Sequence, residues 1–354
     1  MSLRDAFRAQ ADACSALGSP FTARLLRLCA DRLQPGTRLT DRLFDWPGDI
    51  GAGSASVPLR LMGALHGLVL DNAAPGLARL YPPQPSTTDD ALWTAVEDAL
   101  NTHAARLDAW LDRPPQTNET GRSAVLIAAG HWLTAEYGLP LKLSELGASA
   151  GLNLMWDRFA LALPGLRLGR ADQALTLSPD WRGDAPFDCA PRVVDRRGVD
   201  LTPLDPQDPG DCLRLLAYLW PDQPDRLART RAAIAVAEAT VERDDAAGWL
   251  ETRLAQPAPG TLHLIYHTIA WQYFPPETAA RARGLIEAAG ARATGDAPLA
   301  WLGMEADGQI PGAGLSLRLW PGDRHIALGR ADFHGRWVDW RTPDPTSWSR
   351  EETA

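Results

Sequence analysis

Leu141-Lys142-Leu143-Ser144-Glu145-Leu146-Gly147-Ala148-Ser149-Ala150-Gly151-Leu152-Asn153-Leu154 decides how the rest of the chain is read. An apolar run ends on an acidic residue, small residues between Gly147 and Gly151 follow, and a helix-like pattern begins at once. A strand that turns through glycines into a helix leaves free backbone N–H groups and a positive dipole end. Nucleotide-like cofactors sit at such turns in open α/β sheets. The same letters also spell G-x-S-x-G, the serine hydrolase elbow.

The chain before this stretch reads as helices at residues 3–17, 20–33, 58–70 and 89–111, each with apolar residues on helical spacing. Asn118 is placed to cap a further helix at 119–137, which Gly138 and Pro140 end. After it, strands and helices alternate. Strands are expected at 141–146, 192–200, 261–271 and 299–305, with helices at 152–159, 211–219, 225–254 and 276–289. Residues 167–181 read as an irregular hairpin or inserted strand, and 315–320 with 325–333 as a closing antiparallel pair. Alternation of this kind implies a mainly parallel sheet covered on both faces. The expected division is a helical region over 1–113 that covers the substrate, an α/β domain over 114–342 and a loose polar tail at 343–354.

Composition narrows the function classes. A formal charge of −9 argues against a nucleic-acid partner, which needs clustered positive charge. Lys142 is the sole lysine, so a Schiff-base mechanism has one residue to use. Cys14, Cys29, Cys189 and Cys212 are scattered without C-x-x-C spacing and read as reduced thiols. No secretory leader and no apolar run long enough to span a bilayer is present, so a cytoplasmic protein acting on a small molecule is expected. Composition leaves the oligomeric state open.

Three chemistries compete for the glycine turn. Glu145-Leu146-Gly147-Ala148-Ser149-Ala150-Gly151 resembles the E/D-x-G-x-G-x-G turn of S-adenosylmethionine methyltransferases, with Ser149 in place of the middle glycine. In that reading Glu145 orients the amino-acid end of the cofactor, and Gly147 and Ala148 admit its backbone-close approach. Methyl transfer itself asks mainly for in-line positioning and dryness. A serine hydrolase with Ser149 as nucleophile needs earlier strands and an oxyanion N–H, whereas everything before Leu141 reads as helix. Its base would have to be His325 or His334. A nicotinamide enzyme needs G-x-G-x-x-G, and the spacing here is G-x-x-x-G. A purely structural turn, in a protein that binds a ligand without chemistry or binds none, is the plain alternative.

Other residues attach to the first reading. Asp200 ends a strand and is placed to contact the nucleoside of the cofactor, from the second strand or from the third if residues 175–178 form the second. Asn118, Arg122 and Asn153 flank the turn and are candidates for the cofactor pocket. Tyr266 and His267 approach the carboxyl end of a strand, where ligands bind in such sheets, and His267 is the candidate general base. His263 and His267 share a strand face, but a third metal ligand is missing, so no metal is expected. Arg60 and His66 lie on an apolar helix and read as capping residues or as part of a substrate cavity. Trp271 and Tyr273 read as core or pocket wall.

Several blocks taken together resemble a bacterial domain-of-unknown-function family, numbered 2332. They are 59–66, 116–122, 145–153, 156–159, 197–200, 220–222, 266–268 and 334–340. The resemblance spans nearly the whole chain and implies a Rossmann-like, methyltransferase-type core without implying a reaction. The combined expectation is an α/β protein with a helical N-terminal region that binds S-adenosylmethionine through Glu145, Gly147, Ala148, Ser149, Gly151 and Asp200.

Overall fold

A computed structural model describes residues 1–169 and 172–341, so the tail expected at 343–354 lies outside the described residues. In chain order the helices are α1 Leu3–Ala16, α2 Pro20–Arg32, α3 Arg38–Phe44, α4 Val57–Leu70, α5 Pro75–Ala78, α6 Asp89–Thr102, α7 Ala104–Trp110, α8 Ser123–Tyr137, α9 Pro209–Ala217, α10 Pro224–Ile234, α11 Ala246–Arg253 and α12 Pro276–Gly290. The strands are β1 Leu141–Leu146, β2 Phe159–Leu163, β3 Leu166–Leu168, β4 Leu175–Leu177, β5 Asp180–Gly183, β6 Val193–Asp200, β7 Thr240–Arg243, β8 Leu262–Thr268, β9 Leu299–Glu305, β10 Ala313–Trp320, β11 Arg324–Ala331 and β12 Trp337–Trp340. The fold is the expected mixed α/β one: a mostly parallel central sheet, antiparallel strands toward its C-terminal side and a helical N-terminal region.

The chain forms two compact units, residues 1–117 with 207–228, and residues 118–206 with 229–354. In the first, Ser2, Ser19, Thr37 and Thr88 cap helices as their side chains predict, each accepting from a backbone N–H of the first turn. The single helix expected over 89–111 breaks at His103 (φ −112°, ψ 22°). Its apolar positions Leu92, Val96, Leu100 and Leu107 are nevertheless all buried. Periodicity reports the buried side of a helix and is silent about a bend that keeps that side on the core.

Residues 207–228 join this unit through long-range contacts that no local pattern announces. Gly63 lacks the Cβ that would lie 2.4 Å from the Tyr218 ring, so α4 and the end of α9 meet closely. Trp110 Nε1 donates to Tyr218 Oη at 3.1 Å, and Arg214 donates to the Arg113 carbonyl at 2.7 Å. Arg60 donates to the Ala55 and Leu111 carbonyls, and His66 Nδ1 meets the Ala217 carbonyl at 3.1 Å. Both side chains therefore brace the helical unit from buried positions.

The second unit is built on a nine-stranded sheet of order β5-β12-β11-β10-β9-β8-β1-β6-β7, with a separate three-stranded sheet β3-β2-β4. Strands β7, β6, β1, β8 and β9 run parallel. The chain leaves β1 toward β6 and β7 on one side, then returns to β8 and β9 on the other. The crevice between the carboxyl ends of β1 and β8 is thus a topological switch point. α11 and α12 cover one face with Leu250, Ala282 and Ile286 against Leu146, Ile265 and Leu299. α8 buries eleven of its fifteen residues, which marks a core helix and explains why it lacks a polar stripe.

Two expectations change here. The helix expected over 225–254 is α10, then β7, then α11. β7 is a four-residue edge strand with no buried residue, so it carries no alternating signal. Residues 175–178 do not form the second strand of the main sheet, because β4 pairs with β2. Asp200 consequently ends β6, the strand next to β1. Among the described residues no helix is long and apolar enough to cross a membrane.

Candidate functional site

The turn after β1 has the backbone its glycines foretell. Gly147 and Gly151 have φ of +69° and +71°, and Ser149 has φ +54°. A left-handed conformation costs L-residues on the order of 1 kcal/mol. What the glycines make room for is protein. A Cβ on Gly147 would lie 2.5 Å from Ala270 Cβ, and one on Gly151 would lie 2.8 Å from Val241 Cγ2. Gly198 on β6 leaves space for Ala148 in the same way, at 2.5 Å.

The N–H groups expected to be free are engaged as well. Gly147 and Ala148 donate to the Val199 carbonyl, and Gly151 donates to that of Ala148. Ser149 N donates to Asp200 Oδ2 at 2.9 Å, and Leu152 N donates to Asn118 Oδ1 at 2.8 Å. The expected helix is a seven-residue 3-10 helix, Leu152–Arg158, whose buried Met155 and Trp156 lead straight into β2. It is too short to supply the dipole end that the sequence implied.

Asp200 therefore clamps the turn, and its other oxygen accepts from Thr202 N at 2.8 Å. Asp200→Ala should destabilise the unit by roughly 1–3 kcal/mol, the cost of leaving the buried Ser149 N–H without an acceptor. Urea denaturation checks this, and an unchanged midpoint would mean that the clamp is dispensable. Asn118 does not cap α8, because its side chain is turned to Leu152 N; a 3-10 turn Thr120–Arg122 precedes that helix instead. Asn153 Oδ1 accepts from Ser123 Oγ at 2.7 Å. Arg122 donates to the Phe333 and Thr268 carbonyls, both at 2.9 Å. These three candidates do converge on the switch point, but in bonds that hold the protein together.

Blocks distant in sequence meet here. Gly335 packs on Gly121 so closely that a Cβ on it would lie 2.3 Å from the Gly121 backbone. Arg122 and Tyr266 tie in the ends of β8 and the 3-10 helix, with Tyr266 Oη donating to the Asn153 carbonyl at 3.2 Å.

Within this cluster Glu145 stands apart. It is 2% exposed, its Oε2 has no hydrogen-bond partner among the described residues, and its register partner on β8 is Tyr266. Burial pushes its carboxyl well above the ordinary value, against the pull of the Arg122 guanidinium and with the help of the Asp200 charge. Thr120 Oγ1 and Ser149 Oγ are also buried without a partner among the described residues. The sequence singled out Glu145 and Ser149 but not Thr120.

Tyr266 and His267 part company. Successive residues of a strand point to opposite faces, so Tyr266 joins Glu145 while His267 faces the side of Trp271 and Trp301. Tyr266 is fully buried, and burial foremost, with Glu145 nearby, holds its phenol well above the usual range. Its hydroxyl is engaged by the Asn153 carbonyl. His267 Nδ1 lies 2.7 Å from Glu305 Oε1, and Trp301 Nε1 donates to His267 Nε2 at 3.0 Å. An indole N–H only donates, so in this arrangement Nε2 accepts from Trp301 and Nδ1 faces Glu305. His267 can act as a base only after Trp301 lets go.

Glu305, at the end of β9, escaped the sequence reading. Its Oε1 also accepts from Ala270 N and Trp271 N. Burial alone would raise its carboxyl, but the His267 bond and the two N–H groups hold it below the ordinary value. The available signal was its place at a strand end beside the switch point. His263 is bonded to Ser144 at 2.7 Å, and burial pushes its imidazole well below the usual value. Among the described residues no group of three His, Cys, Asp or Glu is arranged to hold a metal ion.

Fold and site together define an α/β protein with a buried carboxyl, Glu145, near the carboxyl end of β1 at the switch point of its sheet. The chain belongs to domain-of-unknown-function family 2332, described as an uncharacterized protein conserved in bacteria, whose profile matches residues 4–340. No curated protein and no solved structure matches it.

Proposed function

We propose that the protein binds S-adenosylmethionine across the carboxyl ends of β1, β6 and β8 and transfers its methyl group to a small molecule. The observation that carries this reading is the Glu145 carboxyl, buried at the switch point with one oxygen unpartnered among the described residues. A buried polar atom left unpaired costs about 1–3 kcal/mol, which a cationic ligand group would recover. The cofactor offers an ammonium and a sulfonium. Ser149 Oγ, in the turn after β1, and Thr120 Oγ1, in the 3-10 turn before α8, are two further buried oxygens without a partner among the described residues.

The donor set suits the cofactor through side chains, since the turn's backbone N–H groups named above are committed within the protein. Asp200, ending the strand next to β1, keeps the turn in place and brings a carboxylate to the same edge. The bound cofactor supplies an electrophilic methyl group. The chain's part is to hold it in line and exclude water. The turn that follows β8 packs on the β1 turn: Ile269 has φ +52° and Ala270 lies on Gly147. A β-branched residue in that conformation is strained, and such strain concentrates where segments move for function.

The hydrolase reading has less support. Ser149 Oγ has no hydrogen-bond partner among the described residues, and no strand of the sheet precedes β1 to supply an oxyanion N–H. Calorimetric titration with S-adenosylmethionine and its demethylated product tests the proposal. Micromolar to submillimolar binding is expected, and absence of heat at millimolar ligand would remove it.

A further inference from the structure

A cavity of about 490 Å³ opens on the sheet face that carries His267, on the opposite side of the sheet from Glu145. Its floor is made of small residues, Gly303 on β9 and Ala327 on β11, and its walls include Trp271 and Trp301. The two indoles lie 5.3 Å apart at their centroids. Arg283, projecting from α12, sits against both, 5.8 Å from the Trp271 ring and 5.5 Å from that of Trp301.

The two arginines of the cavity differ in their commitments. Arg318 is neutralised by Asp323 and Glu287, both at 2.6 Å. Arg283 has no ion pair or hydrogen bond among the described residues, and its guanidinium lies over the two indoles, whose faces offer its N–H groups no ion-pair acceptor. A planar guanidinium held on aromatic faces is preorganised to take a carboxylate through two parallel bonds. Ser316 Oγ is exposed in the same cavity as a further donor.

We propose that this groove binds a planar organic carboxylate, with the acid on Arg283 and the ring between the Trp301 wall and the small-residue floor. Arg283 is the cavity's guanidinium not spent on a protein carboxylate among the described residues, Arg318 and His325 both facing Asp323, so the site matches a single negative charge better than a phosphate dianion, which the overall charge of −9 also disfavours. The site does not depend on the cofactor reading, because Glu145 and His267 belong to opposite faces.

Titration of the full chain with indole-3-carboxylate, and with indole-3-carboxamide as its neutral match, tests this without any cofactor present. The acid should bind about tenfold or more tightly than the amide. Arg283→Gln, a change at an exposed helix position, should erase that difference. Ala327→Phe, also exposed, should block both ligands with the circular dichroism unchanged. Equal affinity for acid and amide, unchanged acid affinity in Arg283→Gln, or no saturable binding at millimolar acid would each overturn the proposal. None of those outcomes bears on S-adenosylmethionine binding.

Discussion

Gly147→Ala is expected to lower the thermal midpoint by roughly 5–15 °C, from about 2–4 kcal/mol lost in a unit of this size. Two costs add. The new residue must hold φ +69°, worth on the order of 1 kcal/mol. Its Cβ must also share space with Ala270 Cβ, 2.5 Å away, and overpacking of that kind costs about 1–3 kcal/mol. A second change separates them. Ala270→Gly removes the colliding methyl, so the double variant should regain the steric part and keep only the conformational part. A single variant as stable as the parent, or a double variant no better than the single, would show that the turn and the β8 loop are not packed as described. Substitutions at Gly147 therefore report on folding first. A binding experiment is better served by Glu145 or Ser149, each of which has a buried side-chain oxygen without a partner among the described residues.

Glu145→Gln should make the protein more stable and a poorer ligand binder. The folded-state pKa of Glu145 is raised by burial, so its contribution is full below the unfolded value of 4.5 and is lost as pH climbs through the folded value. Glutamine has the shape of the protonated acid and does not titrate. Near pH 4 variant and parent should unfold at similar denaturant concentrations. The variant should gain with rising pH, reaching on the order of 1–2 kcal/mol at neutrality. In the same variant, affinity for S-adenosylmethionine should fall about tenfold or more, since a charge-assisted bond to the cofactor is lost. A stability gain that is flat in pH would place Glu145 outside the buried cluster. A gain with unchanged cofactor affinity would leave Glu145 as a strained structural residue and defeat the proposed function.

The outline of the fold was legible because its signals are local. Leu299–Glu305 was readable to the residue as an apolar strand, and Ser2, Ser19 and Thr88 cap the helices that follow them. β7 was not legible, because an edge strand with half-covered residues has no period to detect. The candidate site was legible in part. Glu145, Ser149 and Asp200 do meet at the switch point, as adjacent parallel strands require. Glu305 and Thr120 were missed because their importance lies in what surrounds them.

The sequence by itself determined that a strand turns through left-handed glycines at 146–151 and that an α/β sheet follows a helical lead, since backbone conformation and periodicity are properties of neighbouring residues. Only the tertiary structure decided what those glycines accommodate, Ala270 and Val241, because close approach is made by segments about a hundred residues away. It also decided that Tyr266 is sealed beside Glu145 while His267 lines the cavity on the opposite face of the sheet. Alternation guarantees two faces to a strand, but which face is covered depends on where α8, α11 and α12 come to rest.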